Sequence, residues 1–324
     1  MVKHAVFFLV ALFTQLIARG QQDAQFGQYV FNGTFINPAY TGYKEELYLQ
    51  AYARAQWVGV RGAPQTISIS ADEAVKDESV GLGLLIAKDK IGAQSSLGAI
   101  GNFAYRIKLD RTETNVLAFG IGLGIRQLGL EGNLLDPRDG GDVIIPSGTV
   151  SQVIPEIRTG VFYSNEKYFV GFSITGLSVG NLKLYSNYQV LNIQPQKHFY
   201  LTGGMAIKMN DDFIIKPAFL IKDEINGPTS LDLNAFMLFK QRFWIGGVYR
   251  STVKLYPKNN LQNNLSKLAA AGVIAEYFTN NNLRIGYGYD FSLNGLQKYD
   301  YGSHEISLGY YFTTKKSRRP KCYF

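Results

Sequence analysis

Ser303-His304-Glu305 holds, in one tripeptide, the residue types of an acyl-transfer site: a hydroxyl, a base and an acid. The stretch around it alternates as a strand does. Neighbours on a strand point to opposite faces, so Ser303 and His304 cannot enter one pocket. The chain has three histidines, His4, His198 and His304. The last two lie far apart with no cysteine nearby, so spacing gives no metal site, and no metal or cofactor is expected. Cys322 is the single cysteine, which excludes an internal disulfide and reads as a free thiol near the terminus. The glycine runs GIGLGIR (120–126) and GLGLL (81–85) are not phosphate cradles, because no helix follows either one. The expectation is a protein that is not an enzyme.

The informative polar residues do another kind of chemistry. Arg54, Arg106, Arg126, Arg158, Lys216, Asp232, Arg250 and Arg284 recur on the polar face of alternating runs, as do Asp290 and Glu305. Charges held away from bulk water need partners. Two readings follow: cross-wall ion pairs and hydrogen bonds that hold a shape, or a selective passage or docking throat.

The elements that carry these charges have period 2. Leu117, Phe119, Ile121, Leu123 and Ile125 share one face, opposite Ala118, Gly120, Gly122, Gly124 and Arg126. Leu47, Leu49, Ala51, Ala53 and Ala55 oppose Tyr48, Gln50, Tyr52, Arg54 and Gln56. Such runs are read at 47–57, 64–74, 80–88, 95–109, 114–128, 156–164, 167–176, 197–209, 213–222, 229–239, 242–251, 267–278, 282–291 and 303–313. Fourteen strands is an even number. A soluble sandwich alternates too, but the connections separate the cases. Gaps at 58–63, 89–94, 129–155, 177–196, 223–228, 252–266 and 292–302 are long and rich in Gly, Pro or Asn. Those at 75–79, 110–113, 165–166, 210–212, 240–241 and 279–281 are tight and polar. Regular exchange of long and short is the pattern of an up-and-down transmembrane barrel with outer loops and periplasmic turns. A sheet in hydrocarbon must close on itself, since every backbone group needs a partner. The expected fold is therefore all-β, a transmembrane antiparallel up-and-down β-barrel of about fourteen strands.

Residues 1–20 read as a secretory signal, with Lys3 and His4 ahead of an apolar core at 5–12 and Ala18-Arg19-Gly20 before the cut. The apolar run is shorter than the roughly 20 residues of a spanning helix. Loss of Lys3 and Arg19 lowers the formal charge from +8 to +6. The remaining divisions are a periplasmic segment at 21–46, the barrel at 47–313 and a basic periplasmic tail at 314–324 with Lys315, Lys316, Arg318, Arg319 and Lys321. A modest, scattered positive charge on an exported chain does not point to nucleic acid.

Seven stretches, in order, resemble the PorP/SprF family of outer-membrane proteins of the type IX secretion and gliding-motility machinery. They are INPAYTG (36–42), QWVGVRGAPQTISIS (56–70), VGLGLLIAKDKIG (80–92), KPAFLIKDEINGPTSLDLNA (216–235), FWIGGVYR (243–250), IGYGYDFS (285–292) and GSHEISLGYYF (302–312). The tail RPKCYF is similar to the family's terminal S-P-R-Y-F, from which Lys321 and Cys322 depart. The motif residues carried over are Asn37, Pro38, Ala39, Tyr40, Gln56, Trp57, Gly59, Gly62, Pro64, Asp89, Gly92, Tyr287, Asp290, His304 and Glu305.

The resemblance implies an outer-membrane barrel embedded in the lipid bilayer that helps secrete or anchor a client surface protein of the adhesin kind. It also implies partners among periplasmic or outer-membrane components of the type IX system. On this reading the loops 129–155 and 177–196 hold the client, while 21–46, the short turns and 314–324 meet the machinery. NPAY at 37–40 either caps the lumen or forms a Pro-fixed turn before the first strand. The alternative function is a porin or a channel for hydrophobic substrates.

Overall fold

The computed structural model describes residues 25–135, 146, 148–177, 196–258, 261 and 267–312. The expected signal, the basic tail with Cys322 and the greater part of the two longest outer loops lie outside the described residues. Fifteen strands form one sheet. They are β1 (Leu47–Ala55), β2 (Gln65–Val75), β3 (Val80–Ile91), β4 (Gln94–Lys108), β5 (Val116–Glu131), β6 (Thr149–Ser164), β7 (Tyr168–Thr175), β8 (His198–Met205), β9 (Ile207–Lys208), β10 (Phe213–Glu224), β11 (Thr229–Phe239), β12 (Phe243–Val253), β13 (Leu268–Phe278), β14 (Leu283–Ser292) and β15 (Ser303–Phe312). The two-residue β9 continues the line of β8 past Ala206, and both pair with β10. The wall therefore makes fourteen crossings.

All pairings are antiparallel, and each crossing bonds to its neighbours in sequence, with β8 and β9 together as one crossing. The first and last strands close the ring, from Leu47↔Phe312 to Ala55↔His304. Closure leaves no free sheet edge around the barrel, which is what hydrocarbon demands. No described helix is long and apolar enough to cross a membrane, and the crossing is made by strands.

Period 2 holds on the wall. Leu49, Ile67, Ile69, Leu84, Ile86, Phe119, Ile121, Leu123, Val170, Phe172, Leu233, Ile285, Ile306 and Leu308 point outward. That is an apolar belt, with Tyr168, Tyr277, Tyr310 and Phe312 near its short-turn rim. Tight turns at that rim use left-handed backbone at Lys76, Asp77, Glu78, Glu113, Lys240, Gln241 and Asn282, the conformation that matches strand twist.

Two boundaries differ from the sequence reading. β3 runs on to Ile91 and β4 begins at Gln94, so the gap at 89–94 shrinks to Gly92–Ala93, with Gly92 at φ +56°. β5 and β6 likewise extend into the expected loop at 129–155, as far as Glu131 and from Thr149. In Lys88-Asp89-Lys90 the alternation persists, but with charges on both faces, so hydropathy hides it.

Candidate functional site: a plugged lumen

The segment at 21–46 was expected on the periplasmic side. Its described part, from Gln25, instead lies inside the barrel. Gln28 to Gly42 are buried throughout. The chain descends from Gln25 and Gly27, level with Arg250 and Glu305 near the long-loop rim, to Gly42 beside Asp72 near the short-turn rim. On the way it makes two short 3-10 turns, Gly33–Phe35 and Pro38–Tyr40, capped by the Asn32 and Asn37 side chains.

Turn bonds such as Phe31 N to Gln28 O, Asn37 N to Gly33 O and Thr41 N to Pro38 O pair part of the plug's backbone, and the remaining groups are to be satisfied from outside. The wall does this with Lys216, Arg158, Arg106 and Glu305, which sequence placed in the lumen, and with Ser173 and Asp72, which it did not. Lys216 Nζ donates to Val30 O at 3.4 Å. Arg158 Nη1 donates to Phe35 O at 3.3 Å, and Ser173 Oγ to Ile36 O at 2.6 Å. Arg106 donates to Gly42 O. In the other direction, Gly27 N donates to Glu305 Oε1 at 3.1 Å and Gly42 N to Asp72 Oδ2 at 2.9 Å. Asn37, while capping Ala39 N at 2.9 Å, donates to Val161 O at 3.0 Å and Phe172 O at 3.4 Å across β6 and β7. NPAY is thus a lumen-seated turn that crosslinks the plug to the wall, which joins the two readings offered for it.

The remaining charges pair with one another. Arg54 sits between Asp290, at 3.1 Å, and Glu305. Arg250 Nε donates to both Asp232 oxygens at 3.0 Å and its Nη1 lies 3.5 Å from Asp290. One belt of five charges therefore spans β1, β11, β12, β14 and β15 below the long-loop rim. Arg126 meets Glu156 at 3.1 Å, and Arg284 meets Glu276 at 3.1 Å. All ten charges read on the polar faces of the strands, from Arg54 to Glu305, face the lumen. Glu156, Glu276 and Asp72 were missed; all three lie at inward positions, Glu156 on the run read for Arg158 and the other two on runs for which no charge was read.

The lumen has two kinds of wall. Tyr200, Leu220, Phe236, Leu238, Trp244, Val248 and Ile274, from β8 to β13, form an apolar surface that packs Tyr29, Val30 and Phe31. Opposite, glycines let the plug approach. A Cβ at Gly120 would come 2.1 Å from Ala39 N, one at Gly81 2.0 Å from Thr41 O, and one at Gly160 2.2 Å from Asn37 Oδ1. Gly120 of GIGLGIR is therefore a seat for Pro38 and Ala39, while Gly122 makes room for the Arg158 and Asn102 side chains of the wall. Tyr40 closes this side against Tyr43 and Phe162, with ring centroids 5.0 and 5.3 Å away.

The other motif residues gather at the long-loop rim. Gln56 N donates to Pro64 O at 2.9 Å, closing the β1–β2 loop. Trp57 N donates to Ser303 Oγ at 3.1 Å. Val58 N donates to Gly302 O at 2.8 Å, and Tyr301 N to Val58 O at 2.7 Å. Gly59, at φ +98°, lies under the Tyr301 ring, and Gly62, at φ +74°, accepts from Gly92 N at 2.8 Å. Three outer links are thereby joined into one ledge, on which Tyr299 and Tyr301 stand exposed. Asp89 faces inward and accepts from Thr66 Oγ1 at 2.5 Å. Tyr287 and His304 face outward, hydroxyl to Nδ1 at 2.8 Å. Ser303 is buried on the opposite face from His304, as strand geometry requires.

A solved FadL homologue of Pseudomonas aeruginosa is 9% identical, over 86% of this chain and 94% of its own, with a TM-score of 0.48. A mutant porin of Rh. blastica is 10% identical, over 82% of this chain and 99% of its own, with a TM-score of 0.36. No curated protein matches the chain. The model of the family "Type IX secretion system membrane protein PorP/SprF" matches residues 18–310. That span takes in the plug and all but the last two residues of the described barrel, and the chain belongs to this family.

Proposed function

We propose that this outer-membrane barrel serves type IX secretion as a sealed docking component. On this reading it holds or guides a secreted client of the adhesin kind at its outer ledge, and meets secretion components at its short-turn rim. It does so by binding, without catalysis. The observation that supports this reading over a porin or a hydrophobic-substrate channel is the plug. Residues 28–42 are buried within the wall and are bonded to it by β2, β4, β6, β7, β10 and β15. A wall that spends its lumen charges on a plug's backbone is built to stay closed.

The test joins two measurements on one preparation. The barrel, tagged in the loop after β5, is extracted in mild detergent and its co-purifying proteins are identified. The same material is placed in planar bilayers. Recovery of a large secreted protein or type IX components with silent bilayers supports docking. A solitary barrel with steady conductance overturns it in favour of the channel.

A further inference from the structure

The outward face of β3 breaks the apolar belt. Leu82, Leu84 and Ile86 point to lipid, and the next two outward side chains are Lys88 and Lys90. A lysine facing hydrocarbon is costly at mid-depth and tolerated near the interface. The two lie at the long-loop end, where Lys90 is one residue from the Gly92–Ala93 link. Long stems let both ammonium groups rise to headgroup level.

Register shows what shares that level. Tyr289 pairs with His304, His304 with Ala55, Ala55 with Gln65, and Gln65 with Lys90. The rung beneath reads Tyr287, Ile306, Ala53, Ile67 and Lys88. All ten residues are outward-facing positions on five adjacent strands. Apart from Ala55 the upper rung is polar or aromatic; at one end His304 bonds Tyr287 of the rung beneath, and at the other Lys90 stands above Lys88. Below it the wall is apolar, and Ile67, Ile69 and Ile306 are more than half exposed. At the opposite rim the outward positions Leu47, Phe312 and Leu283 on the same wall carry no base.

We infer that the β14–β15–β1–β2–β3 face binds a phosphorylated glycolipid of the outer leaflet. Lys88 and Lys90 take its phosphate, Gln65 and the Tyr287–His304 pair take sugar hydroxyls, and the isoleucines flank its acyl chains. Charge complementarity selects an anionic headgroup. The location at the long-loop rim selects the leaflet that faces outward, and hence the glycolipid over an inner-leaflet phospholipid.

The full barrel, purified in mild detergent, is titrated with bis-phosphorylated lipid A and bound lipid is counted by native mass spectrometry. Each lysine replaced by glutamine should weaken binding about fivefold, and Lys88→Gln with Lys90→Gln about thirtyfold. Lys254→Gln, on a different outer loop, should bind as the parent does. Removing the phosphates from the lipid should cost as much as removing both lysines. Heat-modifiable gel mobility reports folding, and Lys90→Gln alone carries the test if the double variant does not fold. Equal binding by the lysine variants, equal binding of the dephosphorylated lipid, or equal competition by phosphatidylglycerol overturns the assignment.

Discussion

Gly120 and Ala39 meet backbone to backbone. A Cβ at position 120 would stand 2.1 Å from the Ala39 nitrogen and 2.4 Å from the Pro38 carbonyl carbon. Neither neighbour is the end of a flexible side chain, so nothing there can yield cheaply. Gly120 lies within β5, which is bonded on both sides along its length by β4 and β6. The plug is the weaker party.

Gly120→Leu should therefore expel or loosen the plug while leaving the barrel closed. Three readings check this. Heat-modifiable mobility should persist, a protease added from the lumen side should cut near 30–40, and planar bilayers silent with the parent should show discrete openings. Gly98→Leu is the comparison, since the nearest atom to its added Cβ is 3.8 Å away; it should stay silent.

Arg54 is held by two carboxylates, Asp290 and Glu305, with all three side chains at most 7% exposed. Taking away one member of a buried pair leaves its partner uncompensated and costs about 3–5 kcal/mol. Here Arg54→Met strands Glu305, which is also the acceptor for Gly27 N, while Asp290 keeps Arg250 at 3.5 Å. The expected result is a lower unfolding midpoint in urea for the folded barrel in detergent. Adding Glu305→Gln should recover part of the loss, because it removes the stranded charge. A further loss on adding it would contradict the pairing.

The wall was legible because its periodicity is enforced twice, by lipid outside and by charge or plug inside. Strand starts such as Leu47, Val80, Phe213 and Ser303 coincide with the sequence reading. It failed where both faces carry charge, at Lys88 to Lys90, and where the strands rise past the belt, at Gly129 to Glu131 and Thr149 to Pro155. The plug was misplaced for a different reason. Its asparagines, Gly33 and Pro38 read as linker residues, and they do break strand pairing. Yet Tyr29-Val30-Phe31, Phe35-Ile36 and Tyr40 are too apolar for a solvated linker, and that was the available signal. Gly120 on the inward face of β5 gave another: it makes room for the backbone of Pro38 and Ala39.

The β4–β5 turn offers a pH probe outside the membrane-crossing strands. The Asp110 carboxylate accepts from the Thr112 hydroxyl, from Asn115 N at 3.1 Å and from Thr114 Oγ1 at 2.9 Å. Those bonds, Thr112 first, hold its pKa well below the ordinary carboxylate value. A depressed folded-state pKa stabilises the turn above the unfolded value, near 4 for Asp. That contribution is lost as pH falls below about 4 toward the folded-state value. The protection factor of the Asn115 amide, its exchange relative to an unstructured peptide at the same pH, should therefore fall between about pH 4 and pH 2. In Asp110→Ala protection should be low throughout, with no further fall over that interval. A parent turn equally protected at both ends of the interval would refute the linkage.

The outer ledge depends on one backbone conformation. Gly59 at φ +98° turns the β1–β2 loop so that Val58 exchanges both its hydrogen bonds with the 301–302 backbone, and the Tyr301 ring covers the site at 2.7 Å from where a Cβ would be. A side chain there faces a backbone strain of about 1–3 kcal/mol and the ring at once. Gly59→Val should free the two loops from each other without touching the strands, whose pairing begins again at Gln65 and Ser303. If the ledge is what a client grips, this variant should assemble, keep its plug and stay silent in bilayers, yet lose its client in the pull-down. Tyr301→Ala, which removes the exposed ring and relieves the crowding over Gly59, separates the ring's contribution from the loop's shape. Client loss in both variants assigns the grip to the aromatic surface; loss in Gly59→Val alone assigns it to the paired loop backbone. Full client recovery by both would move the docking surface off this ledge.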